Sequence, residues 1–353
     1  MLKVLVFEFF PYHAQNFPMY PQLLPELLGT DDVSFEFYAV PEQIPDLIFP
    51  QPEHLHRIYP STAFESRLKR LRLNVPYLKG VVALQRRKYR PDCIVFNTLE
   101  PGATYRTFAG IKATKKIGIL HNPDTARFAK DANTRYLCMN EYIYQNLRAD
   151  GLLDGYLLSF FPPLDLGATP AHDGIVVGIP GGISFNRRDY HVALDAAAIW
   201  KASNKPVHVT FNVIGEVGRK DGRALQEQIR SRGLERYFIF HERLTDADFA
   251  VQVHACDYLL PLVGGQQERY LKVKNSATFS HSARYLKPMV LPVTAAREWD
   301  LSPECCITYE NTADLAARLA SLPQPDPDIQ KNYAALIARK LADNRAVLRA
   351  AAF

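Results

Sequence analysis

The sequence predicts an α/β protein of two Rossmann-like domains facing a central cleft. Three observations lead there. At 353 residues the chain is longer than one hydrophobic core comfortably serves. Short apolar runs rich in β-branched and aromatic residues alternate with longer amphipathic stretches, the pattern of βα units on parallel sheets. This alternation occurs once in each half, and the segment Phe161-Pro-Pro-Leu-Asp-Leu-Gly-Ala-Thr-Pro170 between them has neither helical nor strand periodicity.

Taken in order, the first half predicts strands over Lys3–Phe7, Ser34–Ala39, Cys93–Asn97, Lys116–Leu120 and Tyr136–Met139, with helices such as Tyr20–Leu28 and Leu73–Lys88 between them. The second predicts strands over Gly174–Ile179, His208–Ile214, Phe238–His241, Tyr258–Pro261 and Met289–Pro292, with helices near His191–Lys201, Gly222–Arg232 and Asp246–Ala255. Thr245-Asp-Ala-Asp248 reads as a capping box that fixes the start of the last of these. Pro323-Gln-Pro-Asp-Pro-Asp328 then breaks the pattern before an alanine-rich helix running to about Ala352. The expected organisation is an N-terminal domain over 1–165, a second domain over 166–322, and a terminal helix over 323–353 that packs back on the first domain.

Composition narrows the function classes. With 47% apolar and 22% charged residues the chain is an ordinary globular one. No apolar run approaches the roughly 18 to 20 residues a membrane span needs, and Met1-Leu-Lys3 leads directly into a strand, so the expected location is cytoplasmic. Five scattered cysteines, without a C-x-x-C pair, read as reduced thiols. A net charge of +5 is too small to imply nucleic acid, and no aromatic stacking platform accompanies the basic residues.

In open parallel sheets ligands bind beyond the carboxyl ends of the strands, so candidate residues are those that follow strands. In the second half Gly181 and Gly182 follow the first strand and leave room for backbone amides to approach a diphosphate; a plain tight turn is the other reading. Arg187 and Arg188 supply the matching charge. Gly215 and Glu216 follow the next strand. Lys272 and Lys274, with the hydroxyls of Ser276 and Thr278, form a further polar cluster where a leaving nucleoside diphosphate could be neutralised, solvated loop lysines being the alternative.

Four pieces carry a family resemblance: Gly178-Ile-Pro-Gly-Gly-Ile-Ser184 with Asn186-Arg-Arg-Asp-Tyr190; Phe211-Asn-Val-Ile-Gly-Glu216; Gly233-Leu234 through Leu244 and on to Cys256-Asp-Tyr-Leu-Leu-Pro-Leu262; and Tyr270-Leu-Lys-Val-Lys-Asn-Ser276 with Ala283-Arg-Tyr-Leu-Lys-Pro-Met-Val290. In order and spacing, over about Gly174 to Pro292, they resemble the nucleotide-binding domain of GT-B glycosyltransferases. The resemblance implies a nucleoside-diphosphate-sugar donor on the second domain, used as a substrate with no separate cofactor, and a glycan or lipid-linked acceptor on the first. One departure stands out. Retaining members carry two glutamates separated by seven residues before the "A … K-P" run; here those places fall near Val273–Lys274 and His281–Ser282, without a carboxylate. Inversion and retention both stay open.

The resemblance also implies that a general base, where one is used, lies after a strand of the first half. Glu8 and His13 follow the first strand, Glu100 the third, and His121 and Asp124 the fourth. Direct inversion benefits from a carboxylate or imidazole within hydrogen-bond reach, because an acceptor hydroxyl ionises far above neutral pH. His121 matches in position the family's histidine at the domain cleft. Capping a loop or filling a polar pocket is the competing role for each.

Between Arg67 and Arg90 lie nine cations and no carboxylate, interleaved with apolar residues such as Leu78 and Val82. A solvated helix face is one reading. Attraction to anionic lipid headgroups, at about 1 kcal/mol per cation, is the other, and would place the protein peripherally on the inner face of the cytoplasmic membrane. The D-x-D pairs at Asp246–Asp248 and Asp326–Asp328 sit in a helix cap and a proline-rich linker, so metal-independent chemistry is expected. Two other functions share the pattern: a nucleotide-sugar epimerase of the same fold, and a non-catalytic binding or scaffold protein, which the missing glutamate pair motivates.

Overall fold

The structure, a computed structural model, describes residues 1–10, 13–41, 52–70, 73–112, 114–121, 128–159, 166–241, 244–263, 269–322 and 324–353. Its contacts divide the chain into two compact units, Met1–Pro162 with Leu341–Phe353, and Pro163–Lys340.

Unit 1 is a seven-stranded parallel sheet formed by β1 (Leu2–Phe7), β2 (Val33–Ala39), β3 (Leu55–Arg57), β4 (Cys93–Phe96), β5 (Lys115–Leu120), β6 (Thr134–Met139) and β7 (Gly155–Leu157). The spatial order is β3-β2-β1-β4-β5-β6-β7. The chain therefore works outward from β1 in one direction, returns, and works outward from β4 in the other. β1 and β4 lie side by side, with Val4 opposite Cys93 and Phe7 opposite Phe96, and the crevice where such an order reverses is where this architecture binds ligands. The strands are apolar on both faces because helices cover both. Val4, Val6, Phe37, Val95 and Ile117 pack against Phe17, Tyr20, Leu23 and Leu27 of the first helical segment. The helix α1 (Tyr20–Leu28) stops at Gly29, whose φ of 74° lets its N–H reach the Pro25 carbonyl at 2.9 Å.

Unit 2 repeats the plan with β8 (Ile175–Pro180), β9 (Val209–Ile214), β10 (Phe238–Phe240) and β11 (Tyr258–Leu259), in the order β10-β9-β8-β11. A bridge from Leu259 to Met289 extends it toward the parallel pair β12 (Val290–Pro292) and β13 (Ile307–Tyr309). Trp200 and Phe211 stack at 5.4 Å in its core. The Thr245 capping box is present, with Asp248 as its reciprocal partner.

The predicted long strands match the observed ones to within a residue or two at most ends. β3, β7 and β13, three residues each, were not predicted; each pairs in parallel along a neighbouring strand, β3 with β2, β7 with β6 and β13 with β12.

The C-terminal helix, Pro327–Ala350, enters unit 1 at Leu341. There the fully buried Asn344 side chain completes the sheet edge: its Oδ1 accepts from the Leu158 N–H at 2.9 Å and its Nδ2 donates to the Tyr156 carbonyl at 2.6 Å. One amide thus replaces a strand on β7. Arg349 adds an ion pair to Glu26 at 3.0 Å, and Arg135 donates to the Ala351 carbonyl at 2.8 Å. Asn344→Ala leaves two buried backbone groups unmet and should destabilise unit 1 by about 2 to 4 kcal/mol. The exposed Asp343→Ala should change stability by no more than about 0.5 kcal/mol; urea-unfolding midpoints compare the two.

Candidate functional site

At the β1/β4 crevice the structure brings three of the predicted residues together. Glu8 leaves the end of β1 and is completely buried. Its Oε1 accepts the Phe10 N–H at 2.7 Å, while Oε2 accepts from the Thr98 hydroxyl at 2.7 Å and from the Asn97 amide. Asn97 and Thr98 follow β4. The Asn97 amide also donates to the His13 carbonyl at 2.9 Å, and its own oxygen accepts from the Tyr20 hydroxyl. His13 Nδ1 lies 2.8 Å from Thr98 Oγ1, and the His13 and His121 rings stack at 4.2 Å. His121, at the end of β5, holds its Nε2 3.0 Å from the Asn97 carbonyl and 3.5 Å from Thr98 Oγ1.

Burial governs the charge states. It pushes the Glu8 carboxyl up to about 7, against four hydrogen bonds that pull the other way. Burial lowers His121 to about 4. It lowers His13 to about 2, with the neighbouring His121 adding to the effect. Both imidazoles are therefore neutral at neutral pH. Because a carbonyl only accepts, His121 carries its proton on Nε2. The remaining nitrogens, His13 Nε2 and His121 Nδ1, make no hydrogen bond among the described residues. A neutral, half-buried imidazole with one free nitrogen can accept a proton from a hydroxyl.

Glu100 stands apart: its backbone N–H and carbonyl engage the Thr104 hydroxyl, and its carboxylate makes no hydrogen bond to the cluster among the described residues. Asp124 lies outside the described residues. Asn97, Thr98 and Tyr20 were not singled out by the sequence reading. The signal was there for the first two, since they are the polar residues directly after an apolar strand.

In unit 2 the residues after β8 form a second cluster. Gly181 has φ 105°, and a Cβ there would stand 2.7 Å from Arg188 Nη2. That guanidinium donates to the Pro180 carbonyl, so glycine lets it fold back over the strand end. Gly215 is equally constrained, because a Cβ would come within 2.3 Å of the Gly181 carbonyl oxygen. Gly182 and Arg187 are exposed. His281, buried in α10 (Ala277–Tyr285), is lowered to about 3 by burial, then by the charges of Arg284 and Arg188. Two guanidinium groups thus act on one neutral imidazole, a cationic setting suited to a diphosphate. Arg284 was not among the predicted site residues; nothing in the polar run Ala277-Thr-Phe-Ser-His-Ser-Ala-Arg-Tyr285 marks its helix as buried.

The other predicted donor residues scatter more. Glu216 pairs on the surface with Arg219, Lys272 is exposed, and Lys274 lies over the Tyr270 ring at 5.0 Å. Ser276 precedes the first turn of α10 and is buried, and the Thr278 hydroxyl is fully buried without a hydrogen-bond partner among the described residues. Asp248 caps its helix and Asp326 caps the terminal one, accepting the Asp328 N–H at 2.9 Å, so each D-x-D pair has a carboxylate engaged by backbone. Among the described residues no cluster of three His, Cys, Asp or Glu side chains could hold a metal ion.

The basic segment forms α2 (Thr62–Arg70) and α3 (Asn74–Tyr89). One of its cations is compensated after all, since Lys69 pairs with Glu65 just upstream of the acid-free stretch. Arg67, Arg70, Lys79, Arg87, Lys88 and Arg90 are exposed, and Leu73 and Leu84 are exposed beside them at 48% and 62%. No helix among the described residues is long and apolar enough to cross a membrane.

A buried carboxyl that titrates near 7 makes stability pH-dependent. Glu8 binds its proton more tightly folded than unfolded, so its contribution is fully present below about pH 4.5 and is lost as the pH rises through about 7. Relative to Glu8→Gln, the wild-type protein should lose about 3 kcal/mol of stability between those limits. Urea unfolding at both ends of the range reads this as a change in the difference between the two proteins, whatever the constant effect of the substitution. Parallel curves would mean that Glu8 titrates as an ordinary carboxylate.

No protein-family model and no curated protein sequence matches the chain. Solved structures do. A sucrose-phosphate synthase from Thermosynechococcus elongatus is similar over 99% of this chain and 96% of its own, at a TM-score of 0.62 and 14% identity. A lipopolysaccharide outer core galactosyltransferase, WaaB, is similar over 98% and 99%, at 0.57 and 12% identity. Anabaena HepE, solved in complex with UDP and glucose, is similar over 99% and 97%, at 0.54 and 14% identity. At such identities the likeness speaks for architecture, and that architecture is the GT-B glycosyltransferase fold.

Proposed function

We propose that the protein is a glycosyltransferase that moves a sugar from a nucleoside diphosphate to a hydroxyl of a glycan or glycolipid. The observation that carries this reading is the end-to-end likeness to GT-B enzymes, among them one holding UDP and glucose. Two features of the chain support it. The Gly181 turn, with Arg188 and Arg284 near His281, offers amides and guanidinium groups to a diphosphate. The free nitrogen of neutral His13 is suited to take the proton of the acceptor hydroxyl as the new glycosidic bond forms. No metal is required in this scheme, because guanidinium groups compensate the leaving diphosphate.

Donor binding is the first test. Calorimetric titration with UDP, GDP and their sugar conjugates should reveal one preferred nucleotide. Arg188→Ala should weaken its binding about 10- to 100-fold, the loss expected for a charge-assisted hydrogen bond. Chelation with EDTA should leave binding unchanged. No binding by any nucleotide would count decisively against the proposal.

A lipid-linked acceptor is the finer part of the proposal. It is supported by the exposed cations and leucines of α2 and α3, and by the likeness to an enzyme of lipopolysaccharide synthesis. The full chain should sediment with phosphatidylglycerol vesicles but not with phosphatidylcholine vesicles, and salt should release it. Reversing Lys79, Arg87 and Lys88 to glutamate should lower the vesicle partition coefficient at least about 100-fold, at about 1 kcal/mol per cation removed.

A further inference from the structure

The row Glu8–Thr98–His13 constrains more than it positions. Thr98 has a single hydroxyl proton and stands between two groups at hydrogen-bond distance, Glu8 Oε2 at 2.7 Å and His13 Nδ1 at 2.8 Å. It can donate to only one of them. When Glu8 is ionised its oxygens only accept, so Thr98 donates to Glu8 and must accept from His13. His13 then carries its proton on Nδ1 and presents a bare Nε2. When Glu8 is protonated, a proton on Oε2 points at the Thr98 oxygen 2.7 Å away, while Oε2 still accepts from the Asn97 amide and Oε1 from the Phe10 N–H. Glu8 donates to Thr98, Thr98 donates to His13 Nδ1, and the imidazole proton moves to Nε2. Each bond in the row reverses together.

We infer that Glu8 is a positioning residue that, through Thr98, selects the tautomer of His13 and thereby whether His13 Nε2 is a proton acceptor or a donor. This deepens the transfer reading proposed above and rests on it for its consequence, though not for its geometry. The surroundings leave Glu8 as the group that switches. The titratable side chains facing it are Tyr20 from α1, His13, and His121 from the end of β5, and no lysine or arginine pairs with it among the described residues. Tyr20 is driven well above its ordinary range by burial and by Glu8, and both imidazoles are lowered, so none of the three changes charge near neutral pH. Glu8 does, at about 7. His121 is held out of the exchange because its Nε2 proton is anchored on the Asn97 carbonyl.

The test needs neither donor nor acceptor. Nitrogen-15 spectra of the histidine-labelled full chain distinguish the two tautomers, and His13→Gln identifies the His13 signals by their loss. The expected result is an Nδ1–H imidazole above the titration of Glu8 and an Nε2–H imidazole below it, with the same midpoint as the Glu8 carboxyl followed by carbon-13. Thr98→Val should uncouple the two, leaving one His13 tautomer across the range, and Thr98→Ser should retain the switch. A His13 that keeps one tautomer while Glu8 titrates would overturn the inference, as would a switch that survives Thr98→Val. Turnover tests the other claim separately: if His13→Gln leaves sugar transfer unchanged the transfer role of His13 fails, whatever the tautomer does. If transfer holds, kcat should fall with the protonation of Glu8 while the donor KM stays constant.

Discussion

Everything at the first crevice depends on a carboxyl group placed where water does not reach it. β1 and β4 run side by side, and the chain leaves β1 toward β2 and β4 toward β5, so their ends open onto a crevice between diverging connections. Glu8 fills the floor of that crevice. Burying a carboxylate is costly unless donors surround it, and here Phe10, Asn97 and Thr98 supply them. The donors hold the group in place without fully offsetting its desolvation, which is why it titrates near neutrality. Tyr20 secures Asn97 from the helix packed on the sheet, so the core of unit 1 and its polar floor share a residue.

The two units differ in electrostatic character at their strand ends. In unit 1 His13 and His121 are neutral and the Glu8 carboxyl is balanced between forms, a setting for moving a proton. In unit 2 a glycine turn brings Arg188 back over β8, and Arg188 and Arg284 both hold down the ionisation of His281, a setting for holding an anion.

Much of this was legible from sequence because parallel sheets announce themselves. Continuous runs such as Val4-Leu-Val-Phe7 and Cys93-Ile-Val-Phe96, short and rich in β-branched and aromatic residues, read as strands buried on both faces, and a residue following such a run stands at the binding end of the sheet. Glu8, His13 and His121 were chosen that way, and the structure brings them together. Glu100 was chosen by the same rule, and the turn of chain after β4 brings Asn97 and Thr98 to Glu8 while Glu100 is engaged through its backbone with Thr104. Sequence position alone does not encode that difference. Asn344 was equally hidden, since an asparagine in an alanine-rich helix reads as surface until the unpaired edge of β7 is placed against it. Arg284 was obscured for a similar reason, its burial being set by the packing of α10 and not by its neighbours in sequence.

The most direct test of the whole account is product analysis with a labelled sugar. Purified protein would be incubated with nucleoside-diphosphate sugars labelled in the sugar and with a mixture of lipid-linked glycans, and the products separated by mass spectrometry. The account predicts label on the acceptor with free nucleoside diphosphate in equal amount for one donor, and the loss of both with His13→Gln. Recovery of all label in the donor pool, intact or as an isomer, across every donor would contradict it.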